Sequence, residues 1–142
     1  MTDYLSTSVN IIEQGISDAG FVGPVLAFLA MLMLAETCFL AALLFVSKKR
    51  IAREIDFLRH LKRANMTLSG IAVVSGFIGT YVGLVQMLPA LGEVVAGSGA
   101  EASMPVLMSG LSSAFVSSMI GLGVGGVFGH INDFLFTLVL PE

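Results

Sequence analysis

Three apolar runs, 22–46, 68–91 and 105–130, constrain this chain more than any other feature. Each is about 24 residues long, and at about 1.5 Å rise per residue each can cross a hydrocarbon layer of about 30 Å as a helix. Composition points the same way. With 56% hydrophobic and 12% charged residues, and a mean hydropathy of +0.93, an ordinary soluble domain is excluded. The expected fold is an all-α membrane protein with three transmembrane helices at 22–46, 67–91 and 105–130.

Charge sets the expected orientation. All seven Lys and Arg (Lys48, Lys49, Arg50, Arg53, Arg59, Lys62 and Arg63) fall between the first two spans, and a short loop with such an excess stays in the cytoplasm. The N-terminus is therefore expected outside and the C-terminus inside. The segment before Phe21 carries Asp3, Glu13 and Asp18 and no cation, so a cleaved signal peptide with a basic n-region is not expected. The net charge of -3 gives no reason to look for nucleic acid. The single Cys38 has no internal disulfide partner and reads as a small packing residue in mid-span.

In the first twenty residues Leu5, Val9, Ile12 and Ile16 recur at helical spacing, which predicts an amphipathic helix over 1–20 lying on the outer leaflet. Gly20 and Gly23-Pro24 end it and start the first span. That span is uniform in Leu, Met, Phe and Ala except for Glu36. An acid near mid-membrane costs a few kcal/mol or more and by default suggests function. The other reading, of equal weight, is a protonated Glu36 hydrogen-bonded to a hydroxyl on a neighbouring helix. The basic cytoplasmic segment, 47–66, keeps helical spacing at Ile51, Ile55 and Leu58, and Arg50 with Glu54 or Asp56 with His60 can pair at i, i+4. The first span is expected to run on into it, with His60 solvated. Asn65-Met66-Thr67 has the pattern of a glycosylation site but lies on the cytoplasmic side and is discounted.

The other two spans carry seams of small residues. In the third, Gly110, Ala114, Ser118, Gly121, Gly125 and Gly129 recur at steps of three and four, within roughly a third of a helix circumference, and Ser117 lies beside them. In the second, Ser69, Ala72, Gly76, Gly79, Thr80, Gly83 and Ala90 share a face. Two such seams can face each other or a shared partner, because small residues let membrane helices approach closely. An outer loop at 92–104 containing Gly97-Ser98-Gly99 makes the two helices an antiparallel hairpin, and Pro89 sits where the second helix ends or kinks. Thr80 and Ser118 each lie about 20 Å from opposite ends of their spans, so both hydroxyls fall near the midplane. The chain closes with a cytoplasmic tail, 131–142, where His130 and Asp133 read as interfacial residues.

Chemistry of other kinds is not supported. Residues 121–126 match a dinucleotide-binding glycine pattern by letter, but they sit inside an apolar span with no strand before them. No Cys/His cluster has metal-ligand spacing, and no Ser/His/Asp set has a soluble pocket to work in. Neither an enzymatic function nor a cofactor is expected.

Two motifs together are more specific. Gly76-Phe77-Ile78-Gly79-Thr80-Tyr81-Val82-Gly83-Leu84, followed by Gly110-Leu111-Ser112-Ser113-Ala114-Phe115-Val116-Ser117-Ser118-Met119-Ile120-Gly121-Leu122, resembles the MotA/TolQ/ExbB proton-channel family. The first is similar to its Gly-Thr-x-x-Gly helix, the second to its Gly-x-x-x-Ala-x-x-x-Thr-x-x-Gly-Leu helix. The resemblance covers about half the chain, and the topology looks like the ExbB and TolQ branch. It implies a homopentamer in a bacterial inner membrane whose second and third helices line a pore. Two single-span partners like ExbD, TolR or MotB would occupy that pore, each with a membrane aspartate that carries H⁺ or Na⁺. Carried over by position, the hydroxyls facing that aspartate are Thr80 and Ser118, with Ser117 beside them. Gly76, Gly79, Gly83, Gly110, Ala114, Gly121 and Gly125 would pack the helices and line the pore.

Three positions depart from the family pattern. Ser118 stands where Thr is usual, Ser113 where ExbB-like members often have Glu, and Val127 where a Pro often ends the motif. Glu36 is a candidate replacement for the missing acid. The cytoplasmic segment is also much shorter than in familiar members, which argues against a large inner docking domain and a flagellar role. Two other classes remain open: a structural membrane scaffold held by the seams alone, and a small self-contained transporter using Glu36.

Overall fold

The computed structural model describes residues 20–44, 55–97 and 100–140. Among them every regular element is helical, and three helices are long and apolar enough to cross a membrane. The chain is an all-helical, multi-pass membrane protein. The amphipathic helix expected over 1–20 lies outside the described residues except for Gly20, as does most of the link between the first two spans.

A single 3-10 turn, Gly20–Val22, leads into α1, Gly23–Leu43. Gly20 has φ +63°, the left-handed region that glycine adopts without a Cβ clash, and Pro24 sits in the first helical turn, where its missing N–H costs nothing. Leu26, Leu29, Met33, Glu36 and Leu40 are buried, at alternating steps of three and four, so Glu36 is in phase with the apolar core.

The second helix, α2, spans Ile55–Val95. Its 41 residues make it about 60 Å long, twice the hydrocarbon thickness. The helical spacing seen at Ile55 and Leu58 therefore belongs to the second helix, which begins twelve residues before the expected start of the span at 67, rather than to an extension of the first. Leu58, Asn65, Ala72, Gly76, Gly79, Gly83 and Ala90 form its buried face. Pro89 is accommodated inside the helix, which continues to Val95. The reversal is shorter than the expected loop: a turn at Ala96-Gly97, with Gly97 at φ +72°, precedes helix again from Ala100.

The third span is a nearly continuous rod in three parts: α3 at Ala100–Gly121, a π-helical segment at Leu122–Phe128, and α4 at Gly129–Val139. It ends at Leu140, whose extended backbone suits a residue followed by proline. α2 and the third rod run antiparallel: Gly83 meets Gly110, Gly76 meets Gly121, and Ser69 meets Gly125 and Gly129. α1 lies against both, with Leu29, Met33, Ala72 and Val124 forming one apolar cluster and Leu40, Leu58, Phe136 and Val139 another. The end of the bundle carrying Lys62 is called here the basic end, and the end carrying Gly97 the hairpin end.

Candidate functional site

The glycine seams face each other inside the chain. A Cβ on Gly76 would stand 2.9 Å from the Gly121 Cα, one on Gly83 2.6 Å from the Gly110 carbonyl oxygen and one on Gly110 2.7 Å from the Gly83 carbonyl oxygen. A Cβ on Gly125 would overlap the Ser69 carbonyl oxygen. Ala114 is buried against Gly83. Such distances are possible only because both helices lack side chains there, which brings backbone against backbone and lets dispersion act over their length.

At the middle of this interface are the hydroxyls. Thr80 is half-buried, and its Oγ1 lies 3.0 Å from the Gly76 carbonyl on its own helix and 3.1 Å from the Ala114 carbonyl across the interface. Ser117 is fully buried; its hydroxyl donates to the carbonyls of Ser113 (2.7 Å) or Ala114 (3.1 Å), and a Cβ on Gly79 would stand 2.5 Å from the Ser117 Cβ. Ser118 is half-buried at the edge of the interface, and its hydroxyl makes no hydrogen bond among the described residues. The seam thus passes through Ser117 rather than Ser118, a correction with a simple geometric cause. From Gly110 seven residues turn a helix to within about 20° of the starting direction, whereas eight carry it about 80° past.

A second polar level lies nearer the basic end and was not visible as a site in the sequence. Asn132 on α4 is fully buried, as is Asn65 on α2. The Asn132 Nδ2 is 3.3 Å from the Met33 carbonyl, 3.3 Å from Asn65 Oδ1 and 3.4 Å from Glu36 Oε2. Its Oδ1 accepts from the Thr37 hydroxyl at 2.6 Å, which is also 2.8 Å from the Met33 carbonyl. Asn65 Nδ2 donates to the Gly129 carbonyl at 3.3 Å, and Ser69, one turn on, donates to the Gly125 carbonyl at 2.5 Å. Side-chain donors of α2 thus hold the π segment and its exit. A π turn spaces its carbonyls differently from an α turn, which leaves room for such outside donors.

Glu36 is 8% exposed and belongs to this level. It does not take the place of the acid absent at Ser113: that residue and Asn132, the partner of Glu36, lie about 28 Å apart along the rod. Asn65 is buried in a helix, so its glycosylation pattern has no structural use. Cys38 is exposed on α1 rather than packed within the chain. Asp133 pairs with Lys62 across helices, Nζ to Oδ1 at 3.3 Å, and His130 is exposed. His60 is exposed, with its Nδ1 2.7 Å from the Asp56 carbonyl, while the Asp56 carboxylate lies 3.8 Å from Arg59. Residues 121–126, which spell the glycine pattern, occupy the end of α3 and the π segment.

No curated protein and no solved structure gives a significant match to the chain. A family model does. It matches residues 41–137, more than half of the chain and including both motif-bearing helices, and on that match the chain belongs to the MotA/TolQ/ExbB proton channel family.

Proposed function

We propose that this chain is the ring-forming subunit of a proton- or sodium-driven energy-transducing channel of the ExbB and TolQ kind, in a bacterial inner membrane. In this reading several copies, five by resemblance to the family, surround two single-span partners. Each partner carries a membrane aspartate past the hydroxyls of Thr80 and Ser118, with Ser117 behind them. A carboxylate at mid-membrane must be neutralised or hydrogen-bonded, and a ring of hydroxyls serves it in either state.

The observation that carries the proposal is the hydroxyl level itself, within a chain of a proton-channel family. Thr80 reaches across to the Ala114 carbonyl, one turn from Ser117 and Ser118, so the three hydroxyls share one depth. Ser117 is sealed between the helices with its hydroxyl turned back to the Ser113 and Ala114 carbonyls, while the half-buried Thr80 and Ser118 are the two with a side open to a partner. The test is ion flux in vesicles containing this subunit and its partner. Thr80→Val and Ser118→Ala should each assemble and lose most of the coupled flux, and assembled variants with full flux would exclude the site.

The scaffold reading has an observation in its favour. Gly76, Gly79, Gly83, Gly110, Gly121 and Gly125 are all accounted for by contacts inside one chain. Under it, removal of the hydroxyls is silent and Gly79→Leu or Gly121→Leu disrupts assembly, so the same pair of measurements separates the two.

A further inference from the structure

The hydroxyl level leaves Glu36 unused, although its carboxyl is more than nine-tenths buried. Oε2 accepts from the Asn132 amide at 3.4 Å, and Oε1 is buried with no hydrogen-bond partner among the described residues. Apolar clusters flank the layer at either end. Leu29, Met33, Ala72 and Val124 pack toward the hairpin end, and Leu40, Leu58, Phe136 and Val139 toward the basic end.

The layer has more acceptors than donors. Asn132 Nδ2 faces three oxygens, those of Met33, Asn65 and Glu36, with two hydrogens to give. The single Thr37 hydroxyl hydrogen faces two oxygens, Asn132 Oδ1 and the Met33 carbonyl. Glu36 Oε1 adds a further acceptor with no donor among the described residues. Packing alone would be served by an apolar residue in that phase of α1, so the carboxyl and its polar neighbours Asn132, Asn65 and Thr37 call for another explanation.

We infer that Glu36 is a proton-binding site in the wall of the subunit, separate from the hydroxyl level at Thr80. On loading, an O–H bond forms at Glu36 Oε1 and one breaks in a hydronium ion supplied by water at the basic end; unloading returns the proton the same way. The loaded carboxyl is the donor that the layer lacks. Within three residues of Glu36, Asn65 and Asn132 the charged or titratable groups are Cys38 on α1, Lys62 and Arg63 on α2, and His130 and Asp133 on α4; farther along α2 come Asp56, Arg59 and His60 toward the basic end and Tyr81 and Glu93 toward the hairpin end. Lys62 and Asp133 are part-exposed and paired with each other, while Arg63, His130 and Cys38 are exposed. The Lys62–Asp133 pair brings charge, and the water that charge attracts, to the residue next to Asn132. Asn132 then stands between that level and the carboxyl.

The site does not depend on the channel reading, because its test needs neither partner nor flux. The full chain is reconstituted in lipid, and infrared difference spectra are taken as pH is cycled between about 5 and about 10, a range above the ordinary carboxyl titration and below that of lysine, in which exposed carboxylates stay ionised. The expected result is a protonated-carboxyl C=O band that falls and returns with pH, shifts in D₂O, disappears in Glu36→Gln and persists in Glu36→Asp. Asn132→Leu, which keeps the carboxyl and removes its donor, should shift the band, and Thr80→Val should leave it unchanged. A band indifferent to pH, or none that Glu36→Gln removes, overturns the inference. A band that Na⁺ abolishes at fixed pH overturns it in favour of a cation site.

Discussion

The amide of Asn132 joins three helices: its hydrogens and oxygen reach Met33, Glu36 and Thr37 on α1 and Asn65 on α2. Removing it strands several buried groups at once, each at a cost of about 1–3 kcal/mol. Asn132→Ala is therefore expected to lower stability by several kcal/mol in detergent unfolding. Thr67→Ala should stay within about 0.5 kcal/mol, because the Thr67 hydroxyl meets only the Arg63 carboxyl-side backbone oxygen of its own helix in an exposed position. Equal losses would remove the polar layer as a structural element. Asn65 and Asn132 were legible in principle. Asn65 lies seven residues from both Leu58 and Ala72, and Asn132 lies seven from Gly125, so both continue the buried stripes that the sequence displays. They escape notice because hydropathy ends the spans at 67 and 130, just short of each, and an apolar count cannot see a helix that continues into polar residues. Ser117 and Ser118 differ in another way: their spacing from Gly110 fits a step of seven or eight, and only the angular sum separates the buried one from the edge one.

At the scale of the helix, glycine does two different jobs within a few residues of the third rod. A Cβ on Gly121 would stand 2.6 Å from the Gly76 Cα, whereas Gly123 and Gly126 have nothing within 4 Å in the chain. Gly121→Ala must push two backbones apart, at a cost of about 1–3 kcal/mol as for other overpacked sites. Gly123→Ala meets no neighbour and removes the conformational entropy of glycine, for a gain of about 0.5–1 kcal/mol. Unfolding of the two variants should thus move in opposite directions, and a shared sign would mean that the close approach of α2 to the third rod is not what holds it. The π segment falls where these glycines are densest, between the hydroxyl level and the Asn132 layer. Without Cβ atoms the widened turns fit against α2, and the Ser69 and Asn65 side chains hold the carbonyls of Gly125 and Gly129. The sequence displays the glycines but not the π turn, because a run of small apolar residues suits an α-helix equally well by periodicity.

The three-helix bundle buries little of itself. In the most apolar stretch of each span only 22–28% of residues are buried inside the chain, and Phe77, Tyr81, Phe115 and Met119 are each more than half exposed. In water such a surface would drive aggregation, but hydrocarbon solvates it as well as a protein core does, so the number and length of apolar runs already determined the fold class. Orientation rests on a different quantity, the asymmetry of Lys and Arg. The described cations Arg59, Lys62 and Arg63 cluster on α2 at the end opposite the Ala96-Gly97 turn. Moving that cluster through lipid would cost several kcal/mol per charge, whereas the hairpin turn bears none. With Cys38 replaced by Ser, an Ala96→Cys chain in intact cells should therefore react with a membrane-impermeant maleimide supplied from outside. A His60→Cys chain, equally exposed but at the basic end, should react only after the membrane is opened. The reverse pattern would invert the bundle and place the Glu36 layer toward the outside, so that its proton would come from the opposite compartment.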